Sequence, residues 1–411
     1  MAAGDGADGR VQAQYEAFPY PARDPADERK RLISGSPSHF DELNHYGFAG
    51  RWDFRRRLRA LIAGGGTGDA LIMLAQQLHD RGIAADLTYI DVSAASRAVA
   101  EARAAVRNLN GIRFLTGSLL EIGRLAPGPY DYIDCCGVLH HLAEPLEGLR
   151  ALATELDPAG TMGLMLYGAL GRTGVYPVQA ALRALAGDSD DRTRIALARQ
   201  LLADLPEGHW FKRNPYLGDH RLGDDAGLYD LLLHSRDRAY LVPEIEALAA
   251  AAGLRLVSFI EPARYDPATW LGNPALTVRA RQLPWLQQCA LAENLAGSIK
   301  SHVFYAVSAG RTADSIARPN GPEAIPVLRD GNGPALAAAL KRGNGLTINF
   351  DGRQQRLAMP EGSAQLLALI DGSRRLGDLQ RLLKLDWFAL KARFDRVYAL
   401  LNPLNLLLIR F

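Results

Sequence analysis

Residues 61–69 read LIAGGGTGD, a greasy run that breaks into four glycines within five positions and closes on an acid. Upstream, LRALIA (58–63) has the texture of a buried strand, and downstream ALIMLAQQLHDRG (70–82) that of a helix. Glycine weakens both element types, so a cluster at their junction marks a backbone that turns sharply or approaches a ligand closely. Free N–H groups at a helix start point outward, and the missing side chains leave room for an anion or a carboxylate. The next strand, ADLTYIDV (85–92), ends on Asp91, 23 positions after Gly68, where a carboxylate can receive both hydroxyls of a ribose. Turn plus acid predicts an adenosine-type cofactor and leaves its class open.

The same alternation continues outward. SAASRAVAEARAAVRNL (93–109) reads as a helix, and GIRFLTG (111–117), YDYIDCCG (130–137) and GTMGLMLYG (160–168) as strands, with the helix EPLEGLRALATELDP (144–158) before the last. Strands separated by helices predict an α/β fold whose parallel sheet is covered on both faces. Residues 169–240 turn helical and polar, as in RTRIALARQLLADLP (192–206), and are broken by NPYLGDHRLGDD (214–225). Alternation then resumes with a helix at 242–253 and strands at 254–262 and 301–309. GRTADSIARPNGPEAIP (310–326) has a linker's composition. Beyond it, a hairpin around 343–359, helices near 361–370, 375–383 and 386–401, and a last apolar stretch make a small unit. The expected organisation is an N-terminal arm or lid (1–50), a main domain (51–309) with a helical cap at about 169–240, a linker (310–327) and an accessory domain (328–411).

Glycine register separates the cofactor classes. Dinucleotide folds want G-x-G-x-x-G, whereas the spacing here is G-x-G-x-G, with Asp69 where the third glycine of that pattern would sit. A pyrophosphate is poorly served by that neighbour; a zwitterionic methionine group carrying an ammonium tolerates it better. LIAGGGTGD with Asp91, LTGSLLEI (115–122) and YDYIDCCGVLHHLAEP (130–145) together resemble the class I S-adenosylmethionine-dependent methyltransferases. The resemblance is close over about 55–168 and reaches 309 through element order. It implies a Rossmann-like seven-stranded sheet and S-adenosylmethionine as cofactor. It also implies that Gly64, Gly65, Gly66, Gly68 and Asp69 border the methionine and ribose, with Asp91 and Val92 at the ribose. Ser118 and Leu119 would lie at the adenine, and Cys136 and Gly137 by the sulfonium. Two positions depart from the family pattern: Ile62 stands where an acid is common, and Ser118 replaces a common Asp.

Methyl transfer is an in-line displacement at an activated carbon, so the protein must align a nucleophile, exclude water and, where needed, accept a proton. The candidates for that work are His140 of the His140–His141 pair, Tyr20, His234 and Tyr167. Asp219, His220, Arg238 and Tyr240 add polarity to the insertion. The leader QYEAFPYP (14–21), with two prolines, is expected to be extended and to act as a flap carrying Tyr15, Phe18 and Tyr20. RWDFRRRLR (51–59) reads as a solvated basic helix face. Cys135 and Cys136 read as small buried hydrophobes, and no residue set has the spacing of a closed metal site. The expected acceptor is an oxygen or nitrogen nucleophile of a small molecule, peptide or protein. The alternatives are a non-catalytic cofactor-binding scaffold and an NAD(P)-dependent oxidoreductase.

Bulk properties limit the rest. The 411 residues carry a net charge of +2, too little for a global field that favours nucleic acid or an acidic membrane. Three cysteines make no disulfide framework, and MAAGDGADGR lacks the basic start and apolar core of a signal peptide, so a cytoplasmic setting is expected. No apolar run approaches the roughly 20 residues of a membrane helix. From residue 330 onward, 12 Lys or Arg face 7 Asp or Glu, a thin excess for nucleic acid. A winged-helix-like unit serving as a peptide contact or a homodimer dock is the expectation there.

Overall fold

The computed structural model describes residues 5–221, 225–343, 345–350 and 353–411; parts of the stretches quoted at 214–225 and 343–359 lie outside them. Seven strands, β1 (Leu58–Ala63), β2 (Ala85–Asp91), β3 (Ile112–Thr116), β4 (Tyr130–Cys136), β5 (Leu156–Tyr167), β6 (Leu254–Ile260) and β7 (Ser301–Ser308), form one sheet in the order β3-β2-β1-β4-β5-β7-β6. The first five are parallel, and β7 runs antiparallel between β5 and β6. The apolar runs are continuous because both sheet faces are buried. Leu61 and Ile62 are each fully buried, one in each of two separate cores. Strand order reverses at β1, which pairs with β2 on one side and β4 on the other. Ligands of such sheets bind beyond the strand C-termini at that point.

Helices α1 (Asp5–Ala17), α2 (Phe40–Gly47), α3 (Asp69–Asp80), α4 (Ala94–Val106) and α5 (Pro145–Thr154) accompany the first five strands. The Pro-containing leader departs from expectation, because Gln14–Ala17 belong to α1 and only Phe18 onward leaves the helix. Its prolines stand after the helix, where they cannot break it. The run 51–59 forms no helix: Arg55, Arg56 and Arg57 pair with Asp53, Asp131 and Asp86 along the approach to β1. In the insertion, α6 (Val175–Ala186), α7 (Asp191–Asp204) and α8 (Asp225–Leu232) enclose a core of their own around Val178, Leu182, Ile195, Phe211 and Leu228. Phe18 stacks on Tyr229 at 4.8 Å, which ties the leader to this cap.

The C-terminal unit runs β8 (Ile325–Leu328), α9 (Gly333–Gly343), the hairpin β9 (Leu346–Phe350) and β10 (Arg353–Leu357), α10 (Ser363–Ala368), α11 (Leu376–Leu383), α12 (Trp387–Leu401) and β11 (Leu407–Arg410). Here the stretch 310–326 is not a free linker. Ala317 and Ala324 are buried in the unit's core with Leu366 and Phe394, and β8 begins at Ile325 and pairs with β11. Small and turn-forming residues suit a tightly packed crossing as well as a free tether, so composition could not separate the two. The unit is also joined to α2. The Ile409 N–H donates to His45 Nδ1 at 3.0 Å, Asn405 donates to Glu42 at 2.5 Å, and Leu408 is fully buried beneath the sheet.

Candidate active site

β1 delivers the chain into the glycine turn. At Gly66 φ is +50°, and a Cβ there would lie 2.8 Å from the Tyr20 carbonyl; at Gly65 it would strike the Tyr89 ring. The turn aims the Gly66 N–H at Asp91 Oδ2, 2.8 Å away, while Asp91 Oδ1 accepts from the Ser93 N–H at 2.9 Å. Burial pushes the Asp91 carboxyl up from its ordinary value, and these two donors oppose the shift. A cavity of about 1020 Å³ opens above, lined by Gly64, Gly65, Gly66, Asp69, Asp91, Val92, Ser118, Leu119, Cys136 and Gly137. Gly68 is absent from that wall; it opens α3 at φ +99° against Ala100. Asp69 lines the cavity but is already paired, with Arg23 at 2.6 Å and Arg103 at 2.7 Å. Burial alone would raise its pKa, yet the two guanidiniums hold it below the ordinary carboxylate value.

The far half of the same cavity is walled by Tyr15, Tyr20, His141, Met165, Tyr167 and Asp230. Tyr15 and Tyr167 each donate a phenol O–H to Asp230, at 3.1 and 2.9 Å. His234 Nε2 lies 3.2 Å from the Tyr15 oxygen, and the His141 and His234 rings stack at 3.8 Å. One residue sets both tautomers. The Arg236 N–H donates to His234 Nδ1 at 3.0 Å, so a neutral His234 carries its proton on Nε2. Burial, reinforced by His141, holds His234 well below its ordinary pKa, which keeps it neutral. The Arg236 carbonyl, 2.8 Å from His141 Nδ1, can only accept, so His141 carries a proton on Nδ1, and Nε2 is the ring nitrogen left for another partner.

One ligand atom each from His141, Asp230 and His234 lie within 4.8 Å of one another, close enough to share a metal ion. The Arg236 N–H argues otherwise, because it occupies the Nδ1 lone pair of His234 and leaves a proton on the nitrogen that a metal would need. The Tyr15 hydroxyl instead links Asp230 and His234 by hydrogen bonds.

A methyltransferase-domain family model matches residues 61–162. An uncharacterised protein of Synechococcus sp. is 30% identical over 308 residues, 72% of this chain and 70% of that protein. The chain belongs to the class I S-adenosylmethionine-dependent methyltransferases. The tRNA 5-carboxymethoxyuridine methyltransferase of Escherichia coli K12 is 33% identical over 116 residues, 28% of this chain and 42% of that enzyme's length. PKMT2 from Rickettsia typhi, solved in complex with AdoHcy, shares the fold with a TM-score of 0.58 and 14% identity over 86% of this chain and 71% of its own. A second PKMT2 structure gives 0.63 and 12% over 92% and 78%.

For this methyltransferase the cofactor is S-adenosylmethionine, and the reductase and scaffold readings give way. The residues present fit it: Gly64, Gly65 and Gly66 turn at the cavity wall where an added Cβ would strike Val138, Tyr89 or the Tyr20 carbonyl, Asp91 is buried at the cavity edge, and among the described residues the wall carries no Lys or Arg to recruit a diphosphate. When bound, the cofactor supplies a methyl group activated by a sulfonium. Of the candidate catalytic residues, Tyr20 and Tyr167 line the cavity, and His234 stands next to it, 3.2 Å from the Tyr15 oxygen. His140 lies behind the wall, stacked on Tyr167 at 3.9 Å, with neither ring nitrogen bonded among the described residues. Burial, then the neighbouring His141, keeps His140 neutral. The His220 ring lies tilted against Phe211, 5.0 Å away, within the cap, Arg238 pairs with Glu244, and Tyr240 is core.

Three residues escaped sequence reasoning. Asp230 looks like any acid on a helix. His141 was indistinguishable from its neighbour. Asp134, on β4 directly beside Ile62 in register, is buried and lines the cavity. It accepts from Ser38 at 2.6 Å, with Tyr132 at 3.3 Å and Cys136 at 3.4 Å also on it. Burial pushes its carboxyl up to about 6. An acid inside an apolar strand was the available signal.

Proposed function

We propose that this methyltransferase moves the methyl group to a nitrogen or oxygen nucleophile seated between Tyr15, Tyr167 and Asp230, with His141 Nε2 taking the nucleophile's proton. The observation that carries this reading is His141, its Nδ1 taken by the Arg236 carbonyl, in the wall of the cavity that the glycine turn and Asp91 also line. Asp230 supports an imidazolium at His141, and α1 covers the reacting groups from water. Small molecules, peptides and proteins all remain within the proposed acceptor range, and the cytoplasm is the proposed setting, in keeping with three free cysteines.

The test incubates wild-type protein and His141→Asn with methyl-labelled donor and a cell extract or synthetic peptides. Wild type should label a product, and His141→Asn should do so ~10²-fold or more slowly, with S-adenosylhomocysteine affinity unchanged. Equal rates would remove His141 from the chemistry.

A further inference from the structure

The cavity wall has a one-sided charge inventory. Among the described residues it carries Asp69, Asp91, Glu121, Asp134 and Asp230, and neither Lys nor Arg. Asp69 is neutralised by Arg23 and Arg103. Asp91 sits at the ribose end on backbone N–H groups, and Glu121 pairs with Arg124. Asp134 lies beside Cys136, toward the methionine end, where the cofactor brings its own positive charges. That leaves Asp230 for the acceptor. It is 4% exposed and its hydrogen bonds come from two phenols. His141 offers a ring nitrogen within 4.8 Å of it, and the Arg172 guanidinium lies on the Tyr167 ring and is held by Asp237 at 2.7 Å. A buried carboxylate bonded only to neutral donors favours a cationic ligand, and the rings of Tyr15 and Tyr20 in the same wall favour the same charge.

We propose that the acceptor is an alkylamine that arrives as its ammonium ion, held by Asp230 and the tyrosine rings. A carboxylate acceptor would meet Asp134 and Asp230 with no cation to receive it. In the reaction the ammonium gives one proton to His141 Nε2, and the freed nitrogen lone pair bonds the methyl carbon. The carbon–sulfur bond breaks with its electron pair staying on sulfur, giving a methylated ammonium and a neutral thioether. The proton on His141 is then released to solvent. This inference rests on the methyl-transfer reading and narrows it to nitrogen.

Saturation-transfer NMR on protein saturated with S-adenosylhomocysteine tests it without turnover, using hexylammonium, hexanoate and 1-hexanol as probes of one length. Hexylammonium should bind best, hexanoate should not bind, and Asp230→Asn should weaken hexylammonium ~10-fold, the loss of one charge-assisted contact. The wild-type ranking needs no variant, and S-adenosylhomocysteine binding by Asp230→Asn reports that it has folded. Tighter binding of hexanoate or hexanol, or hexylammonium binding equal in Asp230→Asn, overturns the amine assignment. Label transferred to a hydroxyl or carboxylate would also overturn it while leaving the methyltransferase reading intact. Failure to bind S-adenosylhomocysteine at all would instead count against that reading.

Discussion

Asp91→Asn separates cofactor binding from folding at one position. In the fold, Asp91 holds the Gly66 and Ser93 N–H groups at the cavity wall, the position proposed to receive the two ribose hydroxyls. Asn keeps one acceptor oxygen but replaces the other with a donor, so it can keep one backbone N–H and lose the charge. Hydrogen bonds to a charged group contribute about 1.5–3 kcal/mol each, so losing two to a cofactor costs about 3 kcal/mol or more, a ~100-fold rise in Kd. The charge acts on folding with the opposite sign. The native Asp91 pKa is raised by burial, so on raising pH the unfolded chain ionises first, and above the native pKa the charge weighs against the fold. Relief of the buried charge and loss of one backbone hydrogen bond oppose each other, so Asp91→Asn should move the melting temperature of the cofactor-free protein only slightly at pH 7 while losing most of the shift that S-adenosylhomocysteine produces. Calorimetric titration gives the Kd and a thermal melt gives both temperatures. A Kd that rises less than about threefold would refute the placement of the ribose; a large drop in melting temperature without ligand would show that the carboxylate serves the turn rather than the cofactor.

Three further outcomes are expected. Asp134 titrates at about 6 in the fold against an ordinary 3.8, so between pH 4 and 6 the unfolded chain gives up its proton first. Folding should lose about 3 kcal/mol across that window, and Asp134→Asn should flatten the melting-temperature profile there. Leu408→Ala should cost about 2–5 kcal/mol and, because Leu408 sits in the core under the sheet, lower a single calorimetric transition shared by the C-terminal unit and the main domain. Tyr15→Phe removes the O–H that Asp230 accepts and the oxygen facing His234; labelled-methyl assays should show kcat falling ~10-fold, with S-adenosylhomocysteine affinity held.

The cofactor half was legible because its parts are local. A turn that needs φ above zero demands glycine, a strand buried on both faces demands an apolar run, and Asp91 follows both at short range. The C-terminal boundary was not legible, since 310–326 has a loop's composition whether it is free or packed, and Gly50, at φ +71° with Arg410 Cα 2.8 Å from its would-be Cβ, shows its purpose only once β11 is in place. The leader misled for a related reason: its prolines restrict residues 18 onward, while Tyr15 one turn earlier is free to be helical.

The acceptor half illustrates a deeper obstacle. Tyr15 is 215 residues from Asp230 and 219 from His234, and no periodicity connects positions so far apart. Ring positions put His141 in the wall and His140 behind it, yet His141 and His234 would still be open to either tautomer. What separates them is the Arg236 peptide, which donates to one imidazole and accepts from the other. Any residue except proline provides the same N–H and C=O, so the chemistry of this site is selected by groups that a side-chain alphabet does not record. It follows that Arg236→Ala should leave the His141 base in place, whereas Arg236→Pro should free His234 Nδ1 and lower the methyl-transfer rate.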